Sequence, residues 1–85
     1  MPGNEAMLLR GRIALNQQVM GTLSSGIDVD IEEMRMLCDK FENKTSLRND
    51  RILIVAARLS NSIERLRELS DQTATMKKEL GDDAR

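Results

Sequence analysis

The chain of 85 residues has no histidine, which removes the commonest general base and metal ligand together with any serine–histidine or cysteine–histidine nucleophile. Catalysis would have to rest on carboxylates, arginines or Cys38, and that argues against an enzyme. Asp28-x-Asp30-x-Glu32 alternates carboxylates as the start of a calcium loop does. The sixth position of such a loop needs glycine for its sharp turn and is Glu33 here; the twelfth needs a bidentate glutamate and is Asp39. The same acids make better sense as a helix start. Asp30 and Glu33 have capping-box spacing, and Asp28, Asp30, Glu32 and Glu33 crowd the positive end of a helix dipole. No metal or other cofactor is expected.

Arg51, Arg58 and Arg65 lie seven apart and form a basic stripe, with Arg48 and Arg67 nearby. A dimeric helical hairpin could bind duplex RNA through such a stripe, because A-form RNA is read by backbone spacing rather than base edges. Asp39 and Glu33 are placed to neutralise two of the three, and a net charge of −1 provides no global attraction to nucleic acid. A salt-bridged flank is the preferred reading. Cys38 adjoins an apolar seam with no cation placed to activate it, so it reads as a small hydrophobe. Met7, Met20, Met34, Met36 and Met76 suit surfaces that repack against partners, or gaps in a small core.

These groups must be positioned by helices. With 40% hydrophobic and 32% charged residues the composition is that of a folded helical hairpin or coiled coil, and the single aromatic, Phe41, leaves aliphatic residues and methionine to build the core. The organising segment is Leu47–Leu80, free of proline and glycine. Ile52, Leu59, Leu66, Thr73 and Leu80 recur every seven residues, with Val55, Ser62, Leu69 and Met76 between them, giving a heptad seam. Such a helix, roughly 50 Å long, needs another helix to lie against. Ile52–Ala57 is apolar on every side, which predicts burial on more than one face.

The N-terminal half supplies the complementary seam: Leu9, Ile13, Asn16, Met20 and Leu23, continued through Ile27, Asp30, Met34, Leu37 and Phe41. Ser24-Ser25-Gly26 reads as a helix end, so the expected helices span about 5–23, 29–43 and 47–80, with Val29 and Ile31 among the core residues of the second. Asn43-Lys44-Thr45-Ser46 is the turn, with Thr45 or Ser46 as cap and Lys40 and Lys44 at the negative end of the preceding helix. The expected fold is all-α, an antiparallel hairpin with a broken first arm, in one small domain with frayed ends at 1–4 and 81–85. In that hairpin facing residues have numbers summing to about 90, bringing Glu33 near Arg58, Asp39 near Arg51, and Arg10 or Arg12 near Glu79. The rival is a compact three-helix bundle reversed at Ser24–Asp28.

Ile31-Glu32-Glu33-Met34-Arg35, followed by a helix, a short turn and a second amphipathic helix, resembles the sporulation aspartyl-phosphate phosphatases over residues 31 to 66. That family's signature is Ser-Gln-Glu-Leu-Asp, with the Asp essential; the matching residues here are Ala56-Ala57-Arg58-Leu59-Ser60, lacking both the Ser and the Asp. The resemblance implies hairpin architecture and transfers no catalytic residue. A phosphatase-like regulator of a response regulator would have to use Glu64 instead.

Leu53, Ile54, Ala57 and Ile63 lie off the seam, as do Leu8, Leu15 and Val19. This excess of apolar surface predicts a protein–protein interaction module: an adaptor, an assembly or secretion chaperone, or a complex subunit. Its partner would be another protein's helix or a second copy of itself, forming a dimeric or hetero-oligomeric bundle with Leu53, Ile54, Ala57 and Ile63 at the contact. The start Met1-Pro2-Gly3-Asn4-Glu5 lacks the basic and apolar regions of a signal peptide, and no stretch approaches ~18 apolar residues, so a cytoplasmic location without membrane insertion is expected. One cysteine fits a reducing compartment, and without an export signal the glycosylation triplet at Asn43 reads as chance.

Overall fold

The computed structural model describes residues 3–39 and 49–83, which form two long helices, α1 (Gly3–Asp39) and α2 (Asn49–Asp83), packed along their lengths. The expected turn at 43–46, its capping residues, Lys40, Phe41 and the starting residue Leu47 lie outside the described residues. The molecule measures 61 × 15 × 14 Å, so its long dimension is the length of one helix. Leu9 and Ile13 near the start of α1 form a cluster with Met76 and Leu80 near the end of α2, while Glu33 late in α1 bonds Arg51 early in α2. The helices are therefore antiparallel, and the hairpin is all-α among the described residues.

The first arm is not broken. Helix α1 runs through Ser24–Asp28 without interruption, and none of its glycines takes the positive φ of a helix terminus. This corrects the expected helices at 5–23 and 29–43 and removes the three-helix alternative. Helix-end signals are permissive. A helical Gly26 costs about 1 kcal/mol against alanine, whereas Leu23, Ile27, Asp30 and Met34 keep the same face turned to α2 only if the helix continues. Helical backbone also reaches Gly3 and Asp83, into the aperiodic ends.

Burial follows the heptads. In α1 Leu9, Ile13 and Asp30 are buried, and Asn16, Met20, Leu23, Ile27, Met34 and Leu37 half-buried. In α2 Val55, Leu69, Thr73 and Met76 are buried, and Ile52, Leu59, Ser62, Leu66 and Leu80 half-buried. Apart from Ala6, Glu33 and Cys38, every described residue that is not exposed belongs to one of these seams. The contacts of Leu9 and Ile13 with Met76 and Leu80 set a register that, continued at the same step, places Asn16 level with Thr73 and Asp30 level with Leu59. The all-round burial expected for Ile52–Ala57 is absent: Val55 is 0% exposed, but Leu53 and Ile54 are 65% and 56% exposed. One neighbouring helix covers only one face.

Candidate interaction surface

Side chains advance by about 100° per residue along a helix, so the positions beside each seam sort onto two flanks. One flank is ionic. Glu33 accepts bonds from Arg51 Nε at 3.0 Å and from Arg51 Nη2, and its Oε2 also accepts from Arg58 Nη2 at 3.2 Å. Arg58 donates Nε at 3.0 Å and Nη2 at 2.7 Å to Oδ1 of the buried Asp30. The hydrogen bonds from Arg51 hold the Glu33 carboxyl below its ordinary range against an opposing desolvation, and those to Asp30 raise Arg58 further.

The expected pairing of Glu33 with Arg58 is present. Arg51 goes to Glu33 rather than Asp39, because a long guanidinium reaches a full turn along the groove and finds a carboxylate already oriented there. Arg12 and Glu79 lie at one shallow depression with Gln72, Thr75 and Met76. Arg65 turns to Glu68 on its own helix, Nη1 to Oε2 at 3.4 Å. Of the arginine stripe, Arg51 and Arg58 are thus engaged across the hairpin and Arg65 along α2.

The carboxylate run is also divided. Asp30 enters the seam, while Asp28 and Glu32 stay on the exposed side, Glu32 facing Arg35 at 3.6 Å. Among the described residues no three or more potential metal ligands gather. Cys38 is half-buried beside Leu37.

The other flank is apolar at mid-length. Met34, Ala56, Leu59 and Ile63 line an open groove of about 380 Å³, with Ser60, Glu64 and Arg67 along its rim. Ile31 lies on the same flank, across the seam from Glu33, and is exposed rather than in the core. Of the four expected contact residues, all exposed, Ile63 lines this groove. Leu53 lies farther round on the same side, Ala57 points away from α1, and Ile54 falls on the ionic side near Arg51 and Arg58. The structure therefore does not bring the four onto one face. Glu64 stands at the groove rim and is exposed.

A second apolar row lies on α1: Leu8, Leu15, Val29 and Met36, all exposed. Val29 is thus no core residue. The seven- and fourteen-residue spacing of this row is present in the sequence, hidden behind the stronger seam one position away.

No family model, no curated protein and no solved structure matches this chain. The phosphatase resemblance accordingly extends to the hairpin architecture alone. Among the described residues no helix is long and apolar enough to cross a membrane.

Proposed function

We propose that the chain is a small cytosolic protein–protein interaction module, an adaptor, assembly factor or complex subunit, that receives an amphipathic helix of another protein in the groove between α1 and α2. The observation that carries this reading is the exposed apolar flank of a hairpin whose single seam cannot cover it: Ile31 from α1, and Ala56 and Ile63 from α2, beside the half-buried Met34 and Leu59. The groove runs along the helices, with an apolar floor and a rim carrying both a carboxylate at Glu64 and a guanidinium at Arg67. Helix-in-groove recognition uses that combination, apolar anchors for affinity and rim charges for register.

The test uses the intact protein as bait in an extract of its source cells, beside an Ile63→Asp variant. A protein retained by the wild type and lost with Ile63→Asp, and then bound directly by calorimetry with a negative heat-capacity change, supports the assignment. Circular dichroism checks that the variant keeps its helix, as it should because Ile63 lies outside the seam. Recovery of the same proteins by both baits would overturn it.

A further inference from the structure

We propose that the occupant of the groove is an acidic amphipathic helix, apolar at the end that lies on Ile31, Ala56 and Ile63 and acidic at the end that continues over Arg10 and Lys77. The inference rests on the groove being a helix-binding site and adds the charge pattern of the helix it takes.

The seam fixes which side chains share the groove flank. Ala56 and Ile63 line the groove, and each directly follows a seam residue, Val55 or Ser62. Ser70 and Lys77 stand in the same relation to Leu69 and Met76, and on α1 Ile31 follows Asp30 and Arg10 follows Leu9. Leu9 and Met76 belong to one packed cluster, so Arg10 and Lys77 stand level with each other on this flank. Over roughly 30 Å the flank therefore passes from apolar side chains, through small polar ones, to two cations side by side.

Those cations are not matched within the hairpin. Neither Arg10 nor Lys77 has an acid three or four residues away on its own helix, and both are exposed. Arg67, on the rim between them and the apolar end, is exposed as well, and among the described residues neither Arg67 nor Lys77 makes an ion pair. The acids of this half lie elsewhere: Glu5 and Glu79 beside Arg12 on the opposite flank, Glu68 beside Arg65, and Asp71 on the side turned away from α1. The groove's own acids, Asp28 and Glu64, are confined to its apolar half. A chain of net charge −1 thus sets an acid-free cationic stretch in line with its apolar groove, while Arg51, Arg58 and Arg65 on the opposite flank are all paired. Cations side by side repel until an anion lies over them, and a helix that is apolar and then acidic complements both halves of the flank at once.

The experiment is fluorescence anisotropy of a labelled synthetic peptide of about 20 residues, long enough as a helix to span the flank, titrated with the intact protein. One half of the peptide carries Leu at three- and four-residue spacing and the other half carries Glu; a counterpart has Gln for every Glu. Exposed ion pairs contribute about two-fold each, so with Arg10, Arg67 and Lys77 available the Glu peptide should bind about tenfold tighter at low ionic strength. That advantage should shrink on adding salt and vanish in Lys77→Glu and in Arg67→Glu, each checked for retained helix by circular dichroism, while Ile63→Asp weakens both peptides.

Equal affinity for the two peptides, with both lost in Ile63→Asp, would overturn the inference and leave the groove as a helix site. A Glu preference that survives both charge reversals would also overturn it, and Glu-peptide binding indifferent to Ile63→Asp would remove the groove reading with it. Binding of neither peptide would overturn the inference alone, since capture of a protein that depends on Ile63 decides the groove separately. Should neither peptide bind while phosphatidylserine–phosphatidylcholine vesicles or duplex RNA do so in a Lys77-dependent way, the cations serve a membrane or a nucleic acid instead. A dimer of the free chain in sedimentation equilibrium that Lys77→Glu dissociates would make a second copy the occupant and overturn the inference as well.

Discussion

Arg58 reaches across the hairpin and holds the buried carboxylate of Asp30 with two donors on one oxygen, Nε at 3.0 Å and Nη2 at 2.7 Å. Asp30 occupies a seam position where an aliphatic residue would otherwise sit, so its charge is kept out of water by the same packing that joins the helices. A shift of one heptad between α1 and α2 would carry the guanidinium about 10 Å from its acceptor. The pair therefore specifies which residues face one another, a task the aliphatic layers perform only weakly.

Replacing Arg58 with Met strands the Asp30 carboxylate in the seam. The expected outcome is a clear fall in the thermal midpoint, larger than for Arg65→Met, since Arg65 pairs only with an exposed neighbour one turn away. Circular dichroism melts of the two variants check it. Equal melting points would show that the Asp30 contact contributes nothing.

Acid should loosen the hairpin at the same end. Because its folded-state value lies below the ordinary 4.5, Glu33 contributes stability that is fully present above that value and lost as pH falls through the lower, folded value. Melting points recorded from about pH 6 to about pH 3 should decline, and the decline should be shallower in Glu33→Gln. The raised Arg58 value has no counterpart in this window, because arginine stays charged throughout it.

Gly26 tests the continuity of α1. Its backbone is helical, and a Cβ placed there meets nothing within 4 Å. Gly26→Ala should therefore stabilise the protein by about 0.5–1 kcal/mol. At the end of a broken arm, with positive φ, the same substitution would destabilise, and a denaturant titration separates the two cases.

Thr73 is buried with its Oγ1 unpartnered, level with Asn16 on α1. Thr73→Val keeps the side-chain shape and removes the unsatisfied oxygen, with an expected gain of about 1 kcal/mol in equilibrium unfolding. A loss of stability would mean that the hydroxyl is satisfied in solution, by water or by the Asn16 amide.

Much of the fold was legible because it belongs to single helices. The three-and-four spacing of Leu9, Ile13 and Met20, and of Ile52, Val55 and Leu59, depends only on the pitch of an α-helix, and those seams are the buried surfaces. The pairing of Glu33 with Arg58 followed from register, since antiparallel seams of known length can align in few ways. The contact residues were less legible. Leu53, Ile54, Ala57 and Ile63 share only their absence from the seam, and exclusion from one face does not put residues together on another.

By itself, then, the sequence determined helix, seam and antiparallel hairpin, each a consequence of local periodicity and charge order. Tertiary structure decided the rest. Whether α1 ends at Gly26 depends on contacts with α2 that outweigh a local cap signal. Whether Arg51 chooses Glu33 or Asp39 depends on side-chain reach across the interface. Which apolar residues stay in water depends on how much surface one neighbouring helix can cover, and that is a property of the pair.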